Sequence, residues 1–160
     1  MNILGHLDAA STSYSVHRAT VDDVADIVAL LADDPLGATR ETATPEQYRE
    51  AFHRVEADAQ QHLLVIRDAA GQIVGTAQLT FIPYLVRGGT IRVQVEAVRL
   101  ASQVRGSGLG TAFFEWIHQF ARNQGAQLVQ LTSDKSREAA QRFYEQLGYA
   151  PSHIGFKRSL

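Results

Sequence analysis

The chain has no cysteine, a single methionine and a single tryptophan among its 160 residues. Without cysteine, disulfides, thiolate zinc sites and a cysteine nucleophile are excluded. No apolar run approaches the ~20 residues of a membrane span, and residues 1–13 lack the basic start and apolar core of a secretion signal. We therefore expect a soluble, cytoplasmic protein with no membrane partner.

An excess of charge of either sign is also missing. The 15 lysines and arginines and 17 aspartates and glutamates give a formal net charge of −2, so no broad cationic surface for nucleic acid is expected. The six histidines show no metal-binding spacing, and no metal is predicted. The hydrophobic content of 45% is enough for the core of one domain.

Strand-like and helix-like patterns alternate after an N-terminal tail predicted over residues 1–13. They indicate one mixed α/β domain over residues 14–160. Strands are predicted at 14–18, 63–67, 72–81, Ile91–Leu100, 128–132 and 154–158, and helices at 20–31, 44–59, 108–123 and 136–147. The first two helices begin at capping boxes, Thr20 with Asp23 and Thr44 with Gln47.

The hydrophobic phase changes partway along the strand Ile91–Leu100. Its apolar residues stand at odd positions up to Val95 and at even positions from Val98. Because strand side chains alternate with period two, either both faces are buried or one extra residue, a β-bulge, lies between Glu96 and Val98. A bulge would leave backbone groups free for a ligand.

Three glycines at alternate positions follow this strand, in the segment 103–111, Gln-Val-Arg-Gly-Ser-Gly-Leu-Gly-Thr. Glycine allows tight turns and a close approach of the main chain to a ligand. The next helix is predicted to begin at Gly108, and free N–H groups at a helix N-terminus favour negative charge. The segment therefore predicts a cradle for a phosphorylated ligand.

Two other nucleotide-binding motifs share part of this pattern. The dinucleotide fingerprint Gly-x-Gly-x-x-Gly would begin at Gly106 and Gly108, but its third glycine is replaced by Thr111. Asp134 lies at about the distance of a ribose-binding acid, so an NAD-binding oxidoreductase remains a lesser alternative. A P-loop hydrolase is less favoured because no lysine follows the glycines.

Two motifs in order resemble the GNAT superfamily of acyl-CoA N-acyltransferases. Segment 105–110, Arg-Gly-Ser-Gly-Leu-Gly, matches the family's Arg/Gln-x-x-Gly-x-Gly/Ala signature, and segment 142–149, Arg-Phe-Tyr-Glu-Gln-Leu-Gly-Tyr, is similar to its terminal helix. The resemblance covers roughly residues 14–160. It implies an α/β (α+β) fold with a mixed, mostly antiparallel twisted sheet of six to seven strands, flanked by about four helices and splayed at the central strands.

The resemblance further implies acetyl-CoA as acyl donor and a primary amine of a small molecule or peptide as acceptor. By similarity, the main chain at Val98, Arg99 and Leu100 pairs with the pantetheine arm like an added strand. The CoA pyrophosphate would be held by the backbone amides of Arg105, Gly106, Ser107, Gly108, Leu109, Gly110 and Thr111.

The pantetheine contact of the last helix departs from the family pattern. Family members often carry an asparagine where this chain has Ser136, which is shorter and makes fewer hydrogen bonds. The neighbouring Lys135 and Arg137 are candidates for the nucleotide phosphates, with solvated surface charge as the alternative.

N-acetyl transfer by direct attack calls for a base, an oxyanion donor and an acid. A lysine-like amine has a pKa near 10.4 and is mostly protonated at pH 7, so a proton must be removed. We predict Glu96 as the base, directly or through water, and the backbone N–H of Val98 as the oxyanion donor. Tyr144 resembles the family's tyrosine that protonates the departing thiolate.

Both catalytic side chains also have a simpler interpretation. Glu96 could pair with Arg92 or Arg99 on the sheet surface, and Tyr144 could border the core. His118 is expected to face solvent or a neighbouring helix rather than a ligand. Helical spacing places four further residues of the same helix in the core: Phe113, Trp116, Ile117 and Phe120.

The acceptor is expected opposite the CoA, between the first two helices and the loop 82–89. Its candidate contacts are Asp33, Asp34, Glu41 and Tyr84. Acidic groups would attract a cationic amine, but a polyamine, an aminoglycoside, an amino acid and a protein lysine all stay open. The apolar stretch 81–86 would pack on substrate or on a second subunit, which makes a homodimer plausible. A catalytically idle acyl-CoA sensor or interaction domain is the main alternative to an enzyme.

Overall fold

A mixed sheet forms the centre of the computed structural model, which describes residues 3–33 and 37–160. In these residues the strands follow the order β1-β2-β3-β4-β5-β6. Their bounds are β1 Ile3–Ala9, β2 Thr12–Arg18, β3 Gln61–Arg67, β4 Ile73–Pro83, β5 Ile91–Leu100 and β6 Leu128–Leu131. The first five strands pair antiparallel, and β6 pairs parallel with β5.

Four helices flank the sheet in the described residues. They are α1 Val24–Ala32, α2 Pro45–Glu56, α3 Leu109–Asn123 and α4 Glu138–Gln146. A single turn over Val86–Gly89 contains left-handed residues and belongs to the β4–β5 loop. The fold class is confirmed. Because neighbouring strands are mostly antiparallel, the sheet is not the parallel, doubly wound one of dinucleotide-binding enzymes.

The capping residues act as the sequence indicates. The Asp23 carboxylate accepts the Thr20 N–H at 2.9 Å, one 3-10 turn before α1. At α2, the Gln47 side chain accepts the Thr44 N–H at 2.8 Å, and the Thr44 hydroxyl accepts the Gln47 N–H at 3.3 Å. Each box satisfies backbone donors that the helix itself leaves unpaired, which fixes where the first two helices begin.

The predicted N-terminal tail is wrong for the described residues 3–13. Ile3–Ala9 is strand β1, which pairs with β2 through a turn at Ala10 and Ser11, both with positive φ. The usual sequence signal for such a turn is Asn-Gly, which this chain lacks. Gly5 lets α3 pack closely on β1, because a Cβ there would lie 2.2 Å from Nε1 of Trp116.

The strand predicted at 154–158 is also wrong. Residues 149–160 form neither helix nor strand, and the side chains of Ile154 and Phe156 are exposed. The alternation there offers only these two apolar residues, with Gly155 between them, and neither buries its side chain against the sheet. The short strand β6 therefore gains no partner from this segment.

Two apolar layers cover the two faces of the sheet. On one face, α3 buries Phe113, Phe114 and Ile117 in the main cluster, which confirms the core prediction for two of these residues. Trp116 and Phe120 pack at its margin with their rings 5.0 Å apart. On the other face, a smaller cluster joins α1 and α2 to β3, and its buried members are Ala19, Val24, Ile27, Phe52 and Val65.

Of the two alternatives that the sequence left open for β5, the structure has the β-bulge. Between the residue pairs Gln78–Glu96 and Thr76–Arg99, β4 has one residue and β5 has two. The first of these two, Ala97, has a left-handed φ of 54°. One extra residue therefore shifts the hydrophobic phase, as inferred from the alternation.

The sheet opens beside this bulge. β6 pairs with β5 only over Arg92 to Val95. From Glu96 onward, one edge of β5 has no neighbouring strand among the described residues, while β4 continues to pair on the other side as far as Leu100. The splay thus lies between β5 and β6.

Three histidines are held in surroundings that favour their neutral form. Burial lowers the pKa of His17, His62 and His118, and the nearby charges of Arg67, Arg18 and Arg122, respectively, add to the effect. Because the folded-state pKa lies below that of the unfolded chain, the unfolded state takes up protons first as the pH falls. This contribution to stability is complete above the unfolded pKa of about 6.5 and is lost below it.

We therefore expect the free energy of unfolding to fall between about pH 7.5 and pH 5.5. Urea unfolding followed by the fluorescence of Trp116, the one tryptophan, measures it. His17→Gln should flatten the dependence, because His17 is 4% exposed and its Nδ1 has no partner among the described residues. If the free energy of unfolding changed equally with pH in wild type and variant, His17 would not contribute to this pH dependence.

Candidate functional site

The glycine loop presents unpaired backbone donors at the start of α3. Gly106 and Gly108 have φ of 77° and 85°, a conformation that glycine adopts at little cost. Five N–H groups here donate to no acceptor among residues 3–33 and 37–160; they belong to Gly106, Ser107, Gly108, Gly110 and Thr111. Such a row is suited to an anion.

Two of the seven predicted amides are already used. The Arg105 N–H donates to the Ser102 carbonyl at 3.3 Å. The Leu109 N–H points to the Ser107 hydroxyl at 3.4 Å, and that hydroxyl donates to the Val104 carbonyl at 2.7 Å. The free donors are thus the five on either side of Leu109.

The Arg105 side chain fastens this loop to its neighbours. Its Nε donates to the Leu100 carbonyl at 2.9 Å, and its guanidinium lies 3.1 Å from the Asp33 carboxylate. Asp33 therefore pairs with the glycine loop, which differs from the expected role of attracting an amine. The pair is about half exposed, so its own stabilisation is small.

Gly110 serves packing as well as the loop. A Cβ on Gly110 would lie 3.3 Å from Cζ of Phe143 and 3.5 Å from Cδ1 of Leu100. The missing side chain lets the first turn of α3 approach both β5 and α4. This brings the free N–H groups close to the open edge of β5.

The residues predicted to pair with pantetheine lie on that open edge. Arg99 and Leu100 pair with β4 on one side only, and Val98, in the bulge, has no paired residue on β4. The Arg99 guanidinium donates to the Val98 carbonyl at 2.8 Å, which occupies one acceptor of the edge. An extended chain could add to this edge as a further strand does.

Tyr144 both borders the core and lies near the open edge. Its ring packs 5.5 Å from those of Phe114 and Phe143. Burial raises its pKa, and the charges of Arg137 and Arg99 oppose that rise without cancelling it. The hydroxyl is therefore protonated at neutral pH, and it makes no hydrogen bond within the described residues.

Glu96 is exposed at the start of the bulge. Its carboxylate accepts no hydrogen bond and forms no ion pair within the part of the chain that the structure describes. Arg92, one of its expected partners, instead stacks over the Tyr84 ring at 4.9 Å. The carboxylate is therefore available to a ligand beside the open edge.

Ser136 and Arg137 lie at the start of α4. The N–H and hydroxyl of Ser136 donate to Asp134 at 3.0 and 2.7 Å, and these bonds lower the pKa of Asp134. The hydroxyl proton of Ser136 is thus occupied, and only its lone pairs are left for a cofactor amide. Arg137 is half-buried and close enough to influence Tyr144.

The remaining acceptor candidates are partly engaged. Glu41 accepts the Tyr48 hydroxyl at 2.7 Å, and Tyr84 lies under Arg92. Asp34 lies outside the described residues. Among the described carboxylates of the predicted site, Glu96 is thus the one that is exposed and has no partner.

A row of neutral polar side chains was missed by the sequence analysis. The register places Gln78 opposite Glu96 and Thr80 opposite Gln94, so all four share one face of the sheet. Leu63 pairs with Gln78 and packs against the cluster of α1 and α2. The row therefore lies on the face of the sheet that α1 and α2 cover. We name the row the polar floor: Gln61, Gln78, Thr80, Gln94 and Gln130. Polar residues at every second position of β4 and β5 were the available signal.

Neither a metal-binding cluster nor a membrane-spanning helix is found in residues 3–33 and 37–160. No group of three or more histidine, aspartate or glutamate side chains there could hold a metal ion. None of the helices in the described ranges has the length and apolar character to cross a membrane.

Comparison with known proteins gives a consistent result. The model of the Acetyltransferase (GNAT) family matches residues 25–149. An aminoalkylphosphonate N-acetyltransferase of Salmonella typhimurium is 26% identical over 146 residues, which span 91% of this chain and 90% of that protein. A glucosamine 6-phosphate N-acetyltransferase of Trypanosoma brucei brucei is 37% identical over 79 residues, 49% of this chain and 52% of that protein.

A solved structure agrees over nearly the whole chain. A transcriptional regulator from Bacillus halodurans C-125 superposes with a TM-score of 0.86 and 40% identity, covering 92% of this chain and 99% of that one. The family match includes the bulged strand, the glycine loop and α4. The chain belongs to the GNAT family of acetyltransferases and is an acyltransferase.

Proposed function

We propose that this protein transfers the acetyl group of acetyl-CoA to a primary amine by direct attack. The proposal depends on one observation: two sets of backbone groups without hydrogen-bond partners among the described residues lie next to each other. The five free N–H groups at the start of α3 adjoin the open edge of β5 after its bulge. Together they suit a ligand that has a pyrophosphate and a long amide-containing arm.

Acetyl-CoA fits these residues and supplies, when bound, an activated thioester carbonyl. The free amides from Gly106 to Thr111 would hold its pyrophosphate, where the dipole of α3 adds favourable potential. The main chain from Val98 to Leu100 would pair with the pantetheine arm.

Three groups of the chain would then move protons and stabilise charge. Glu96 takes a proton from the ammonium form of the acceptor, directly or through water. The N–H of Val98 donates to the oxyanion that forms as nitrogen bonds to carbon. Tyr144 gives its proton to sulfur as the C–S bond breaks, and its raised pKa keeps that proton in place until then. The attacking nitrogen loses its second proton to solvent, solvent reprotonates Tyr144, and the products are the amide and free CoA.

A small polar amine is the acceptor that we favour, with a peptide amine as the alternative. The Salmonella and Trypanosoma relatives are named for acceptors that carry an amine and a phosphonate or phosphate. The half-buried polar floor would suit such a molecule better than an apolar side chain, because covering polar groups with an apolar group costs free energy. A cytoplasmic location and a homodimer stay predictions.

A regulator that binds acyl-CoA without turnover is the second candidate. The Bacillus halodurans protein, 40% identical to this chain, is named a transcriptional regulator, which favours this candidate. Such a regulator would bind acyl-CoA through the same glycine loop as an enzyme but would need neither Glu96 nor Tyr144. A measurement of turnover therefore separates the two candidates.

Calorimetry with acetyl-CoA and NAD, followed by a panel of amines in which free CoA release is measured, tests the proposal. We expect binding of acetyl-CoA alone and release of CoA with at least one amine. Binding without release from any amine would favour the regulator, and preference for NAD would end the acyltransferase account.

The cradle itself can be tested at Thr111, the third residue of α3. Thr111→Pro removes one free N–H, and proline is tolerated in a first helical turn, here after a glycine that has no Cβ to clash. We expect acetyl-CoA to bind about 10- to 100-fold more weakly, since a hydrogen bond to a charged group is lost. Thr111→Ala keeps the N–H and is the matched control; equal affinities for the two variants would show that this amide is not used.

A further inference from the structure

Arg92 lies on β5 four residues before Glu96, on the same face of the sheet. Its guanidinium stacks over Tyr84, and its Nε is buried with no hydrogen-bond partner among the described residues. No carboxylate or carbonyl of those residues accepts from its other nitrogens. Arg92 is therefore a half-buried cation whose donors lack an acceptor within the described chain.

Two other arginines of the described residues also have a buried Nε, but their guanidinium groups donate elsewhere. Arg67 donates to the Asp23 carboxylate, and Arg99 donates to the Val98 carbonyl. Buried donors are nearly always paired in folded proteins, so each exception calls for an explanation. An anion that arrives with a ligand would supply the missing acceptor at Arg92.

The polar floor connects Arg92 to Glu96. Gln94 lies between them and is held by Gln130 at 2.7 Å. Across the strand, the Gln61 side chain accepts from both Gln78 and Thr80 at 2.9 Å. These groups are neutral, so a ligand lying along them would meet a carboxylate at one end and a guanidinium at the other.

We propose that Arg92 binds an oxyanion carried by the acceptor, with the acceptor's amine at Glu96. The inference rests on the proposed acetyl transfer and names the acceptor class as an amine that bears a phosphate, phosphonate or carboxylate. Four strand residues place the Cα atoms of Arg92 and Glu96 about 13 Å apart along β5. Planar guanidinium groups suit such oxyanions because they donate two parallel hydrogen bonds.

A matched pair of amines tests this assignment without turnover. Aminohexyl phosphate and aminohexanol differ only in the phosphate, and calorimetry measures their binding to CoA-saturated protein. We expect wild type to bind the phosphate about 10- to 100-fold more tightly. Arg92→Gln should remove this preference, and Arg92→Lys should keep part of it. Arg122→Gln, at an exposed arginine of α3 on the opposite face of the sheet, is the control and should keep all of it.

Equal affinities for the two amines in wild type, or a preference that survives in Arg92→Gln, would overturn the assignment. Failure to bind either amine would overturn it as well, and circular dichroism establishes that each variant is folded. Failure of the proposed function is seen separately, as wild type that binds no acetyl-CoA or releases no CoA with any amine.

Discussion

Glu96→Gln is expected to lower kcat by about 10²- to 10⁴-fold near pH 7. A primary amine with a pKa near 10.4 arrives mostly protonated, and glutamine cannot take its proton. The loss should shrink as the pH rises, since hydroxide and solvent then deprotonate more of the amine. A rate profile between about pH 6 and pH 9.5 with a fixed acceptor measures this.

Glu115→Gln is the matched control for this variant. Glu115 is an exposed glutamate on α3, so the same chemical change there should leave the profile as in wild type. A loss at Glu96 that is equal at every pH would show that the carboxylate positions the acceptor and does not act as the base.

Tyr144→Phe is expected to lower kcat by about 10²-fold with little change in the Kd for acetyl-CoA. The ring contacts with Phe114 and Phe143 are kept in the variant, so only the proton donor is lost. Single-turnover kinetics together with calorimetry separate these two quantities. An aromatic residue that merely borders the core would leave both unchanged.

Tyr149→Phe provides the comparison for Tyr144. The Tyr149 hydroxyl lies 2.8 Å from Nε2 of His118, and its ring joins the same aromatic group around Phe114. Removal of this hydroxyl should affect stability more than turnover. If the two variants lost the same kcat, Tyr144 would have no distinct role as the acid.

Local signals in the sequence were enough for much of the fold. Both capping boxes and the β5 strand were predicted because each depends on neighbours within a few residues. The bulge was only one of two alternatives, because it is defined by the pairing of β5 with β4. Strand β1 was missed because its turn at Ala10 and Ser11 is stabilised by pairing with β2 and by packing under α3, which no local pattern displays.

In the candidate site, too, features set by neighbouring residues were predicted and features that join distant residues were missed. The glycine loop could be located from spacing, since its conformation is set by its own residues. The pairing of Arg105 with Asp33 joins positions 72 residues apart, and the polar floor depends on strand register, so neither follows from a motif. The roles of Glu96 and Tyr144 stay predictions that the variants above test.

The central claim is that this protein makes an amide from acetyl-CoA and an amine. Its most direct test is mass spectrometry of a reaction with isotope-labelled acetyl-CoA and the amine that releases most CoA. We expect the labelled acetyl group on the amine nitrogen, in equal amount to the free CoA. Free CoA without acetylated amine, or a label that stays on the protein, would contradict direct transfer.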